Sequence, residues 1–208
     1  MINNYKLTQD GVIEQVVKNP YNYDKEYSDS RYSVFMDRSS ILNLRLGYII
    51  GSIGKVPKSL LDVGYGNGDF LKECSKAIDE LYGNDIEPAY PLPDNISFVK
   101  DITKVEVDVI TFFDSLEHFH DIEFVKDLKC KYVVISLPWC YQGSNDEWFN
   151  SWKHRKPNEH IYHFNETSLQ TFMHRQGYKL LNYCNIEDCI RVDRNLSPNI
   201  LTGCFKKI

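Results

Sequence analysis

The chain predicts a doubly wound α/β domain built on a mostly parallel seven-stranded sheet with one antiparallel strand, preceded by a helical N-terminal lid. Three observations carry that expectation. An apolar run, Leu60-Leu61-Asp62-Val63, enters the glycine loop Gly64-Tyr65-Gly66-Asn67-Gly68, and a second run, Leu81-Tyr82-Gly83-Asn84, ends on Asp85. From Ser59 onward short apolar runs alternate with helical patterns, as βαβ units require. A strand ending in a glycine loop, followed by a strand ending in an acid, is the layout of a nucleotide-type site at the carboxyl edge of a parallel sheet.

Residues 1–56 form the expected lid segment. Its first part is polar and aromatic, with Tyr21, Tyr23, Tyr27 and Tyr32 around Arg31; its second part, Ile41, Leu44, Leu46, Ile49 and Ile50, has the spacing of an amphipathic helix. The tyrosines either cover a ligand or pack an N-terminal arm. Residues 57–208 form the expected core, with strands at 59–63, 80–85, 96–99, 107–112, 131–136, 178–185 and 199–206. The last two strands read as a hairpin, which supplies the antiparallel member. Helices fit 68–77, part of 119–129, and 166–176, the last opened by Asn165 or Thr167 and closed by Gly177. The stretch 139–163 breaks the rhythm and holds Trp139, Tyr141, Trp148, Phe149, Trp152 and Tyr162. So much aromatic surface leaving a strand's carboxyl end reads as an ordered substrate-side loop.

The glycine spacing narrows the ligand. The dinucleotide fingerprint needs a glycine where this chain has Asp69, and a carboxylate there would repel a pyrophosphate. Asp62 adds a second acid, and both favour a cationic ligand. S-adenosylmethionine is one, with a ribose and adenine, no phosphate, a sulfonium and an amino group. At these residues the chain resembles the class I S-adenosylmethionine-dependent methyltransferases, whose first motif is an acid, any residue, then glycine, any, glycine, any, glycine.

The resemblance runs over roughly residues 58 to 180 and implies the Rossmann-like methyltransferase fold, with S-adenosylhomocysteine as product. It implies cofactor contacts at Asp62, Gly64, Gly66 and Gly68, and at Asp85, which would take both ribose hydroxyls as a two-fold acceptor. Ile86 would pack on the adenine. Asp101 and Ile102, after the third strand, fall where the family receives the adenine amino group, and Asp114 opens the fourth-strand segment Asp114-Ser115-Leu116-Glu117-His118. Tyr132-Val133-Val134-Ile135-Ser136-Leu137-Pro138 is similar to the family's fifth strand and its proline. Helical lids before the first strand are common in the family.

Composition bounds the rest. At 208 residues, 42% hydrophobic and 25% charged, the chain suits one domain with a full core. A net charge of −5 argues against broad electrostatic capture of nucleic acid or an anionic membrane. The one dense basic run, Lys153-His154-Arg155-Lys156, reads as a solvated loop. Six cysteines without a C-x-x-C pair read as free thiols, and neither a signal-peptide stretch nor a run of ~20 apolar residues is present, so the expected compartment is the cytoplasm.

Methyl transfer from a sulfonium is an in-line displacement, so the protein chiefly aligns acceptor, carbon and sulfur. A hydroxyl acceptor also needs a base, and histidine is the natural one. His118 and His163 are the candidate catalytic residues, with His160 beside them; packed or surface rings are the alternative. Asp114, Glu117, His118 and His163 also look like the ligands of metal-assisted members, among them small-RNA 2′-O-methyltransferases, although Asp114 stands where those have Glu. Glu-His at this place also occurs in metal-free relatives. The expected function is O-methylation of a small metabolite. The alternatives are a metal-assisted RNA 2′-O-methyltransferase and a non-catalytic S-adenosylmethionine-binding subunit. The fold alone does not specify the acceptor.

Overall fold

In the computed structural model, which describes residues 3–23, 26, 39–191 and 197–208, two short strands that the sequence reading did not foresee open the chain. β1 (Tyr5–Leu7) and β2 (Ile13–Gln15) pair antiparallel across the turn at Asp10-Gly11, where Gly11 takes φ 76°. Tyr27, Arg31 and Tyr32 of the aromatic segment lie outside the described residues. The expected helix follows as α1 (Ser39–Ile53), which buries Leu46, Tyr48 and Ile49.

The alternating core comes next: β3 (Ser59–Val63), α2 (Asp69–Cys74), β4 (Glu80–Asn84), β5 (Ile96–Phe98), β6 (Glu106–Phe113) and β7 (Lys129–Pro138). After it stand α3 (Asp146–Ser151), β8 (Tyr162–His163), α4 (Glu166–Arg175), β9 (Tyr178–Cys184) and β10 (Ile200–Lys207). The main sheet has the order β5-β4-β3-β6-β7-β10-β9, and β10 runs antiparallel to both its neighbours. All five residues of β3 are buried because β4 and β6 flank it in parallel and both faces are covered. Successive side chains point to opposite faces, so Leu61, Ile110 and Val133 enter one core while Leu60, Val109 and Val134 enter the other.

The helix expected within 119–129 is instead a 3₁₀ turn at Glu123–Asp127, preceded by another at Leu116–His118. The buried residues Ile122, Val125 and Leu128 recur every third position, which matches three residues per turn rather than 3.6. α4 starts where expected. The Asn165 side chain accepts the Ser168 N–H at 2.8 Å, and the Ser168 hydroxyl accepts the Asn165 N–H at 3.0 Å.

Residues 139–163 are ordered by their own aromatics. Asn145 caps α3 by accepting the Trp148 N–H at 3.1 Å, Trp148 stacks on Trp152 at 5.1 Å, and Phe149 meets Tyr5 of the hairpin edge-on at 5.2 Å. β8 then pairs with β2, making a second sheet of order β1-β2-β8 that anchors the N-terminal hairpin to the loop. The basic run is not a solvated loop. His154 bonds Asn199 at 2.8 Å, Arg155 lies over the Tyr5 ring at 5.2 Å, and Lys156 pairs with Glu159 at 3.1 Å. All six cysteines are free thiols. Among the described residues no helix is long and apolar enough to cross a membrane.

Candidate active site

The carboxyl ends of β3, β4 and β6 meet at the glycine loop. Gly64, Gly66 and Gly68 have φ of 81°, 58° and 76°, a left-handed path that L side chains rarely follow. A Cβ at Gly64 would stand 2.8 Å from Ser115 Cβ, so the loop is pressed against the end of β6. The Gly64 N–H donates to the Asn84 carbonyl at 2.7 Å, and the Gly66 N–H donates to Asp85 Oδ2 at 2.9 Å. The loop and the second-strand acid are therefore one unit.

Burial raises the Asp85 carboxyl against the N–H groups of Gly66 and Glu87 that hold it down. Each carboxylate oxygen accepts one backbone donor and retains lone-pair capacity for a vicinal diol. Asp62 is buried beneath the loop, accepts the Thr111 hydroxyl at 2.7 Å, and is pushed up to about 6 by burial. Ile86 is 78% exposed, available to cover an apolar ring, whereas Ile102 belongs to the core. Asp101 closes its own turn by accepting the Thr103 N–H and hydroxyl, and its ion pair with Lys104 holds it down at about 2.

Asp114 takes φ 55° at the end of β6 and sits in an ion cluster that the sequence reading missed. Arg45 of α1 donates to it at 2.9 Å, Arg191 grips both its oxygens, and both arginines also pair with the buried Glu187. Burial works against the Asp114 charge, but the two guanidinium groups outweigh it and hold the carboxyl far below its usual range. A signal for Arg45 existed, since it is the sole charged residue in α1.

The histidines separate into two environments. His118, on the 3₁₀ turn after β6, contacts the Glu159 carbonyl through Nδ1 at 2.8 Å and lies edge-on to His160 at 4.8 Å. Burial lowers its basicity. His163 does not join that pair as the sequence reading expected. It lies in β8 among Tyr5, Phe149 and Trp152, with ring centroids at 5.6, 5.0 and 5.8 Å. Burial drives it down to about 3. The four-residue metal set is likewise not assembled, because the arginines occupy Asp114 and His160 stands where His163 was expected. A cavity of about 360 Å³ lies away from the loop, lined by Asp10, Glu14, Lys18, Glu123 and Arg175. Those five charges pair with one another.

A parallel sheet with this strand order, a glycine loop tied to a second-strand acid, and acids rather than phosphate-binding groups around it define a class I S-adenosylmethionine-dependent methyltransferase. The match to a methyltransferase domain family model covers residues 44–183, well over half of the chain, and the chain belongs to that family. No curated protein sequence matches it significantly. Among solved structures it is similar to a Haloferax volcanii methyltransferase in complex with the Trm112 activator, at TM-score 0.60 and 12% identity over 90% of this chain and 99% of that one. It is similar to the Synechocystis PCC 6803 magnesium protoporphyrin IX methyltransferase with bound S-adenosylhomocysteine, at TM-score 0.59 and 12% identity over 91% and 90%. It is also similar to the Burkholderia thailandensis 1,6-didemethyltoxoflavin-N1-methyltransferase, at TM-score 0.58 and 12% identity over 98% and 99%. At these identities the likeness is one of fold.

Proposed function

We propose that this methyltransferase transfers the methyl group to a hydroxyl of a small metabolite held between the glycine loop and residues 139–163. The observation that supports this most is His118. The Glu159 carbonyl can only accept, so it fixes the imidazole hydrogen on Nδ1 and leaves the Nε2 lone pair free beside the end of β6. S-adenosylmethionine supplies an electrophilic methyl group: the carbon–sulfur bond breaks as the oxygen–carbon bond forms, and the hydroxyl proton is lost.

The chain's own groups suit the parts of that exchange. Gly64, Gly66 and Gly68 let the backbone approach the cofactor, Asp85 accepts its ribose hydroxyls, and Ile86 and Asp101 border the adenine, while Ile102 stays in the core. Asp62 provides negative charge near the amino group and sulfonium, while Arg45 and Arg191 neutralise Asp114. His118 rather than His163 receives the acceptor proton. The aromatic loop excludes water and fixes the acceptor in line, where positioning contributes several kcal/mol.

The test incubates the purified chain with labelled S-adenosylmethionine and fractionated metabolite extracts at pH 6 to 9. A labelled small molecule bearing a methyl ether supports the reading. Label on RNA, or tight cofactor binding with no transfer to any pool, overturns it.

A further inference from the structure

Tyr23 links the N-terminal aromatic arm to the candidate base. Its hydroxyl oxygen lies 3.0 Å from His118 Nδ1, and its ring meets the imidazole edge-on at 5.8 Å. The Glu159 carbonyl, 2.8 Å from the same nitrogen, can only accept, so the hydrogen sits on Nδ1 and the Tyr23 oxygen is a second acceptor for it. The Tyr23 hydroxyl hydrogen points elsewhere, with the Glu159 carbonyl at 3.4 Å as an acceptor. His160 also meets His118 edge-on, at 4.8 Å. Nε2 is left with the ring's free lone pair, since Glu117 Oε1 at 3.8 Å stands beyond hydrogen-bond reach.

Residues 18–23, just after β2, reach this contact over polar seats. The Lys18 ammonium donates to the His120 carbonyl at 2.6 Å and to the Tyr162 hydroxyl at 2.9 Å, and the Asn19 N–H donates to Asn158 Oδ1 at 3.2 Å. His120 lies two residues beyond His118, and Asn158 adjoins Glu159, so the seats set Tyr23 against the same two segments that hold the imidazole. None of residues 18–23 is buried. A segment held by exposed polar contacts opens at low cost while the core stays folded. The tyrosine contact is therefore one that forms and breaks without unfolding the domain.

We propose that Tyr23 is a positioning residue for His118, and that residues 18–23 act as a strap whose seating makes the base competent. This deepens the proposed hydroxyl methylation and rests on it for the role of His118. As the methyl group passes to the acceptor oxygen, the carbon–sulfur electron pair stays on sulfur and the hydroxyl proton goes to His118 Nε2. The ring becomes an imidazolium, and its Nδ1–H bonds to the Glu159 carbonyl and the Tyr23 oxygen become charge-assisted, roughly twice as strong as before. Tyr23 thus stabilises the ring more after proton transfer than before it. An interaction that strengthens along the reaction raises turnover without adding affinity for cofactor or acceptor. With the strap away, Nδ1 keeps the Glu159 carbonyl but loses its second oxygen and the ring that shields it.

The test uses the full chain with ¹⁵N-labelled histidine, the His118 signals being assigned through His118→Ala, together with kinetics on the hydroxyl acceptor that the metabolite screen yields. Tyr23→Phe keeps the ring and removes only the oxygen; its folding is checked by circular dichroism. Its kcat should fall about five- to tenfold with KM for cofactor and acceptor nearly unchanged, and solvent exchange of the His118 Nδ1–H should quicken by about two- to tenfold. Lys18→Met, which keeps the hydroxyl but removes its seat, should move both readings the same way. Wild-type kcat in folded Tyr23→Phe overturns the positioning role and leaves the function reading intact. Lowered kcat with unchanged exchange does the same, since the effect then does not pass through His118. If the screen yields no hydroxyl acceptor, the function reading falls and exchange alone decides the strap: faster exchange in Tyr23→Phe upholds the contact, and the wild-type rate overturns it.

Discussion

Arg45 Nη2 donates to Asp114 Oδ2 at 2.9 Å while its Nε donates to Glu187 Oε1 at 2.9 Å, so one guanidinium joins α1 to the end of β6 and to the turn after β9. Removing it strands buried acids. Arg45→Met should cost about 3 kcal/mol or more at pH 7, read from urea midpoints. Asp114 is held below its unfolded pKa of about 3.9, so its contribution is complete above that value and is lost as pH falls through the window beneath it. The gap between wild type and variant should therefore narrow below about pH 4. A gap that stays constant down to pH 3 would mean that the pair contributes nothing specific.

Asp85 is the principal cofactor anchor in the proposed site. Asp85→Ala should weaken S-adenosylhomocysteine binding by about 1 to 3 kcal/mol in calorimetry, since two ribose hydroxyls lose an ionised partner. Unchanged affinity removes Asp85 from the site.

The glycine loop gives a steric prediction. Gly64→Ala meets both φ 81° and a Cβ 2.8 Å from Ser115 Cβ, so it should lower stability by more than about 1 kcal/mol and weaken cofactor binding. Gly66→Val should abolish measurable cofactor binding, because the branched side chain is strained at φ 58° and projects where the ligand must approach. Wild-type affinity in Gly66→Val would place the cofactor elsewhere.

The two candidate histidines should behave differently. His118→Ala should leave cofactor affinity nearly intact and lower turnover by about 10²- to 10⁴-fold. His163→Phe should preserve turnover and alter the acid response instead. The wild-type ring is neutral in the folded protein down to about pH 3 but protonates in the unfolded chain below about 6.5, so it destabilises as pH falls through that window. The variant should gain on wild type by up to about 1.4 kcal/mol per pH unit there. A folded His163→Phe protein that has lost turnover would restore His163 as the base.

The sequence determined the sheet, the glycine loop and the acid at its second strand, because these rest on local rules: short apolar runs alternating with helical patterns, positive-φ glycines, and an acid at a strand end. The strand ranges around β3, β4, β6 and β7 shifted by no more than two residues at either end. The hairpin was missed although Asp10-Gly11 marks a turn, since three-residue strands are too short for an alternating pattern to register. Only the tertiary structure decided which charges and rings meet. Arg45, Asp114 and the Glu187–Arg191 pair come from three separate segments, so no spacing announces that they meet. His160 and His163 look equivalent in sequence, but the pairing of Ile13 with His163 places His163 in the aromatic cage, while the Glu117–Ile161 hydrogen bond holds the adjacent His160 beside His118. Side chains two apart on an extended segment share a face and side chains three apart do not, so the last turn of that assignment belongs to the pairing register rather than to the residues themselves.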